Sequence, residues 1–263
     1  MDRSTHFTNA LVRSPGNSIA QGLRALDVGN PDPERFKAQH QAYTQALTGA
    51  GVKVDILPPL EEFPDSVFIE DSALCLPWGA VVLRPGATTR TGESSLMAEI
   101  LKPFFGDVRT IGGDGFVDGG DILVTEREII VGLSARTNAG GAEALQDCVA
   151  TWGGKVRILE TPPNILHFKT ACGLLDEETI LLTEGLNQPD FFDAYHTILI
   201  PEGEEAAANA IGVNGRVFIS DGFPKTAELL EASGFSAIAI ATSEAAKVDG
   251  GLSCMSLRFT PTL

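Results

Sequence analysis

Residues 93–134 read ESSLMAEILKPFFGDVRTIGGDGFVDGGDILVTEREIIVGLS. An amphipathic helical stretch, ESSLMAEILKPFF, comes first. The short strand VRTIGG follows it, and a loop rich in glycine and aspartate, DGFVDGGD, comes next. ILVTEREIIVGLS then reads as two strands joined by a tight turn.

The same order recurs along the chain. Before this stretch lie a helix from about Pro33 to Ala50, the strand KVDILPP, the loop LEEFPDSVFIED, and the strands SALCLP and AVVLRPG, with a turn at Trp78-Gly79. After it come GAEALQDCVATWG, KVRILETP, the loop PNILHFKTA and the hairpin CGLLDEETILLTEG. The fourth pass has a weaker helix, PDFFDAY, then HTILIPEG, EEAAANA and IGVNGRVFISDG. Its Asn214-Gly215 pair between apolar alternations is a strong hairpin signal. The fifth gives KTAELLEASG, FSAIAIATS, the loop EAAKVDGGLS and CMSLRF, and the early segment HFTNALVRSP supplies a strand to complete that hairpin.

About five units of roughly 45–50 residues fall near the range of propellers and arrays. A lone hairpin is too small to be stable and needs neighbours on its apolar face. A closed α/β ring of repeated ββαβ-type units buries all those faces together. No linker rich in Pro, Gly or Ser splits residues 1–263, so one domain is expected. A Rossmann-type sheet is disfavoured, because the strands come in hairpins and no G-x-G-x-x-G follows the first strand.

The chain has 263 residues, is 43% hydrophobic and carries a net charge of -16. Such an acidic chain is a poor partner for nucleic acid or an anionic membrane. The N-terminus has no apolar signal region, and no apolar run reaches membrane-spanning length. A cytoplasmic location is expected. The four cysteines, Cys75, Cys148, Cys172 and Cys254, are far apart and form no CxxC pair. That suits free thiols in a reducing compartment, with no disulfide framework and no structural zinc.

The loops that precede the hairpins share one phase of the repeat, so in a ring they converge on one mouth. They carry Asp65, Glu70 and Asp71, then Asp118 and Asp121, then His167, and finally Cys254. Each has a plain structural alternative. Asp caps turns and strand ends, Asp118 and Asp121 flank a glycine pair, His167 sits among apolar neighbours, and free cysteine often packs as a small hydrophobe. Together they are the parts of a thiol-dependent site for a cationic substrate. Paired carboxylates hold a guanidinium fork. A thiolate held over the plane attacks its resonance-protected carbon, and a histidine moves the protons. Arg90 and Arg136 lie where they could bind an amino-acid carboxylate. His6, His40 and His196 have no such company.

The fragments FPDSVFIED, RPGATTRTGE, DGGDILVTEREIIVGLSARTNAGGAE, LHFKT and KVDGGLSCMSLRF resemble the dimethylarginine dimethylaminohydrolase family of the amidinotransferase, or pentein, superfamily. The likeness covers nearly the whole chain in matching order. It implies a five-fold pseudo-symmetric α/β propeller. It also implies hydrolysis of Nω-methylated arginine to citrulline and methylamine or dimethylamine, without metal or organic cofactor. By position it makes Cys254 the nucleophile, His167 the general acid/base and Asp118 the group that orients this histidine. Glu70 and Asp71 match substrate-guanidine contacts, and Asp65 and Phe68 match pocket positions. Arg90 and Arg136 match carboxylate-binding residues, while Leu23 and Val248 match backbone contacts. Thr91 stands where some relatives carry a second arginine, and Phe168 stands where leucine is common. The expected partner is a small guanidino amino acid, and a homodimer is compatible with the sequence. The alternatives are a related enzyme acting on unmethylated arginine, in the manner of an arginine deiminase, and a non-catalytic guanidine-binding protein.

Overall fold

The structure, a computed structural model, describes residues 4–263. The chain runs through β1 (Asn9–Arg13), β2 (Lys53–Leu57), β3 (Ala73–Leu76), β4 (Gly79–Val82), β5 (Val108–Thr110), β6 (Ile122–Val124), β7 (Ile129–Leu133) and β8 (Val156–Glu160). It continues through β9 (Cys172–Leu174), β10 (Thr179–Leu182), β11 (His196–Leu199), β12 (Ile211–Val213), β13 (Arg216–Ser220), β14 (Ala237–Ile240) and β15 (Ser256–Phe259). These form five three-stranded sheets, ordered β3-β4-β5, β6-β7-β8, β9-β10-β11, β12-β13-β14 and β15-β1-β2. In each, an antiparallel pair is extended by a parallel strand, as in β3-β4 and β4-β5. The parallel strand is the one after the next crossover, so the unit is the ββαβ blade of an α/β propeller. The last blade is closed by β1, which pairs antiparallel with β15 and parallel with β2.

Local chemistry accounts for the elements. Helix α1 (Pro33–Gly49) starts where the Asp32 carboxylate accepts from the Glu34 and Arg35 amides, with Pro33 at the first turn. Its inward face, Phe36, His40, Tyr43 and Leu47, follows the helical repeat and is buried. The Tyr43 hydroxyl meets Ser256 Oγ at 2.6 Å, which ties α1 to β15. The second crossover is a 3-10 turn, Glu93–Leu96, followed by α2 (Met97–Leu101), which stops short of Pro103. Helices α3 (Ala139–Ala150) and α4 (Pro224–Ala232) cross the next blades, and the single turn α5 (Ser243–Ala246) follows β14. Asn214 and Gly215 turn β12 into β13 with φ of 50° and 80°, the two positive values that a type I′ hairpin requires.

The expected helix at PDFFDAY does not form. Residues 189–195 are turns, and Asp190 has a positive φ of 65°. That left-handed residue, second in the stretch, interrupts a helical ladder. Aromatic packing covers the blade instead, with the Phe192 ring 6.0 Å from Phe168 and 6.4 Å from Tyr195. Phe168 is fully buried in this cluster, so its replacement of leucine is a packing change. No helix among the described residues is long and apolar enough to cross a membrane.

A feature absent from the sequence reading positions the site. Immediately before each inner strand the backbone makes a 3-10 turn: Ile69–Ser72, Gly119–Asp121, Phe168–Thr170, Glu205–Ala208 and Ser253–Met255. Asp71, Asp118, His167 and Cys254 lie at or beside four of these turns.

His40 is 4% exposed, and its Nε2 has no hydrogen-bond partner. Burial lowers its pKa to about 4. The unfolded chain therefore takes up this proton from about pH 6.5 downward, while the folded chain resists until about pH 4. Stability is expected to fall by about 3 kcal/mol across that window from this group alone. Urea unfolding of His40→Leu, measured between pH 7 and pH 4, should lack that part of the loss. An unchanged pH dependence would refute the assignment.

Candidate active site

One cavity, with about 410 Å³ of space, solvent at its mouth included, is lined by Leu23, Asp65, Phe68, Asp71, Arg90, Asp118, Arg136, His167, Val248 and Cys254, together with Leu166, Asp249 and Gly250. The ring thus brings together every candidate except Glu70 and Asp121. Cys254 lies in the last 3-10 turn, and His167 and Asp118 are the residues just before theirs.

The histidine is held from one side. His167 Nε2 is 2.9 Å from Asp118 Oδ2, and Asp118 Oδ1 accepts from the Gly86 amide at 2.7 Å. Asp118 is fully buried, so its orientation is fixed. Burial alone would lower the His167 pKa, but the Asp71 charge, the Asp118 hydrogen bond and nearby Asp121 raise it to about 9. Asp121, which reads in sequence as a site carboxylate, is instead saturated. It accepts from Phe168 N, Ser134 Oγ and Thr137 Oγ1, and so anchors the backbone beside the histidine.

The Cys254 thiol is pushed up to about 12 by burial and by the negative charges of Glu70 and Asp71; the Gly251 backbone and Lys169 act in the opposite sense. At rest the site therefore holds a neutral thiol beside an imidazolium. A cation bound against the sulfur would favour the thiolate.

Two carboxylates face the same space. Asp71 Oδ1 accepts from the Gly120 amide at 2.8 Å, and Oδ2 accepts from Arg90 Nη1 at 2.6 Å. Burial opposes its charge, but His167 and Arg90 hold its pKa below the usual value. Asp65 Oδ1 accepts from the Leu23 amide at 3.0 Å. Burial raises the Asp65 pKa against the pull of Arg90 and Arg136.

The two arginines differ. Arg90 is 4% exposed and gives four N–H groups to Glu93, Asp71 and the Phe68 carbonyl. One of the five guanidinium protons remains for a ligand. Arg136 is half-buried, lines the cavity, and its side chain has no hydrogen bond to the protein among the described residues. Glu93, three residues after Arg90, is the partner that the sequence reading missed, although that i,i+3 spacing of opposite charges was its signal.

Glu70 lies behind the cysteine. Its carboxylate accepts from Lys169 Nζ at 2.5 Å and from Ser253 Oγ at 2.9 Å, and it borders a different cavity. Leu166, Asp249 and Gly250 were also not singled out in the sequence. Asp249, at φ 55°, accepts from the Ala25 amide and fastens the early loop to the cysteine loop. A Cβ on Gly250 would sit 2.1 Å from the Phe68 ring, so only glycine permits this approach.

Asp71, Asp118 and His167 bring potential metal-ligand atoms within 4.8 Å of one another. Arg90 and Gly120 already occupy Asp71, and Gly86 and His167 occupy Asp118. A metal cation would have to displace the arginine. The set is suited to proton transfer and to holding an organic cation in hydrogen bonds.

No protein-family model matches the chain. It is 41% identical over 257 residues to an N(G),N(G)-dimethylarginine dimethylaminohydrolase from Pseudomonas aeruginosa, across 96% of this chain and 100% of that protein. A Streptomyces coelicolor protein of the same name is 31% identical over 252 residues, across 95% of this chain and 96% of its own. Among solved structures, a cysteine-to-serine mutant of the Pseudomonas aeruginosa enzyme complexed with citrulline superposes with a TM-score of 0.93, at 39% identity, over 97% of this chain and 100% of that one. The five-bladed ring, the cavity at its centre and the full-length likeness agree: the chain is a hydrolase that belongs to the dimethylarginine dimethylaminohydrolase family.

Proposed function

We propose that the chain hydrolyses Nω-methylated L-arginines to L-citrulline and dimethylamine or methylamine, through a covalent Cys254 S-alkylthiouronium intermediate. The observation that carries this is the convergence of Cys254, His167, Asp118 and Asp71 on one cavity. The guanidinium lies against Asp71 and the open oxygen of Asp65, and its charge favours loss of the thiol proton to solvent. The thiolate adds to the central guanidine carbon. The imidazolium of His167 gives its proton to the methylated nitrogen, the C–N bond breaks and the amine leaves. The now neutral imidazole takes a proton from water. The resulting hydroxide adds to the same carbon, the C–S bond breaks, the hydroxyl proton passes to the departing thiolate, and citrulline and the Cys254 thiol are left. Asp118 keeps the ring in position through both transfers.

Leu23 offers a backbone group to the amino-acid end, Val248 offers one near the nucleophile, and Phe68 offers an apolar wall. Arg136 takes the α-carboxylate with its open fork, and Arg90 adds at most its one remaining N–H. Glu70 acts on the sulfur from behind the cysteine. The five blades serve as one catalytic domain. All four thiols are free, which supports a cytoplasmic site of action.

Citrulline release from arginine, monomethylarginine and dimethylarginine tests the reading. The methylated substrates are expected to turn over, with release of the matching amine. Preferred turnover of free arginine with ammonia release would favour the deiminase-like alternative. Arg136→Gln is expected to raise KM about 10- to 100-fold with little change in kcat, because it removes binding common to ground and transition states. An unchanged KM would remove Arg136 from the site.

A further inference from the structure

A second cavity lies on the other side of the turn that carries the cysteine. Ser253 lines it, whereas the adjacent Cys254 lines the first. It holds about 1030 Å³ of space, solvent at its mouth included. Each of the five inner strands gives it an apolar side chain: Leu74, Leu123, Leu174, Ile211 and Leu257. Phe7, from the segment before β1, also lines it and is clasped by Asn214, which exchanges two hydrogen bonds of 2.9 Å with the Phe7 backbone.

The polar corner is unbalanced in charge. Among the described residues its charged lining groups are Glu70, Lys169 and Arg258. The single carboxylate accepts from Lys169 Nζ at 2.5 Å and from Arg258 Nη2 at 3.4 Å. Arg258 Nη1 is satisfied by Ser253 O, Ser256 O and Ser256 Oγ. The Arg258 side chain also hydrogen-bonds Tyr43, and the ammonium of Lys169 has two further protons. Two cations thus face one anion inside a chain whose net charge is -16. Binding pockets that are mostly apolar with a few convergent polar groups take ligands of the same make-up.

We propose that this rear cavity is a second ligand site that takes a small monocarboxylate with an apolar tail. The head sits on Lys169 and Arg258, and the tail lies between the inner strands. A carboxylate matches the ammonium and the guanidinium fork. An amine would meet the excess positive charge, and a neutral chain would leave it uncompensated. The site does not depend on the chemistry assigned to the first cavity.

Calorimetric titration of the whole protein with butyrate, hexanoate and hexylammonium tests this. Hexanoate is expected to bind, with Kd falling about fourfold per methylene added from butyrate. Hexylammonium should bind at least about tenfold more weakly. Saturating L-citrulline should leave the hexanoate Kd unchanged. Lys169→Met should weaken hexanoate about tenfold. Lys169 also holds Glu70, so Leu174→Phe provides a second check. With its fold verified by circular dichroism, that variant should lose hexanoate affinity relative to butyrate. Absence of hexanoate binding at millimolar concentration, equal binding of hexylammonium, displacement by citrulline, or indifference to both substitutions would overturn the proposal.

Discussion

Cys254→Ser is expected to lower citrulline formation from dimethylarginine by about 10⁴-fold or more, with the fold retained. Burial and the charges of Glu70 and Asp71 already hold the thiol near 12, and a serine hydroxyl at the same place would ionise far less. The substitution removes one polarisable atom from a half-buried position and leaves the Ser253 and Asn209 hydrogen bonds behind it in place. Circular dichroism and calorimetric citrulline binding should therefore match those of the parent. Loss of turnover with retained binding is the signature of a missing nucleophile. Turnover within about tenfold of the parent would show that Cys254 is not the attacking group.

His167→Asn is expected to lower kcat by about 10³-fold and to change the pH profile. The productive state pairs a thiolate with an imidazolium, yet the thiol titrates near 12 and the imidazole near 9. Below about pH 9, each unit of pH raises the thiolate fraction about tenfold while the imidazolium stays full. The parent kcat/KM should rise with that slope and level off near pH 9, where gain of thiolate and loss of imidazolium cancel. In His167→Asn the second titration is gone, so the residual rate should keep rising through pH 9. A bound guanidinium stabilises the thiolate, so more of the enzyme–substrate complex than of the free enzyme holds the productive pair. A parent profile that is flat from pH 6 to 9 would reject this pairing.

Hairpins, crossovers and the shared phase of the loops were legible in sequence because they are local. Asn214-Gly215 signals its own turn, and Asp32 with Pro33 signals its own helix start. The partner of each hairpin was not local. It is the strand beyond the next crossover, and only packing selects it. The same limit explains the site. The phase of the repeat placed Asp65, Asp71, Asp118, His167 and Cys254 near one mouth, but not their directions within each turn. Glu70 and Asp71 are neighbours in one 3-10 turn, yet they border different cavities. Arg90 read as an open cation because Glu93 was assigned to a helix, although its carboxylate turns back to take two of the arginine's protons. The segment at Asp190 shows the opposite error, since composition suggested a helix that a left-handed residue at its second position interrupts.

The blade that holds the nucleophile is the one sheet built from opposite ends of the sequence, with Asn9 paired to Phe259 and Val12 to Ser256. Closing this blade is a contact between residues far apart in sequence, the kind that forms slowly because a long loop must close first. Any event that pries β1 loose would disarm the enzyme without touching a single group that does the chemistry.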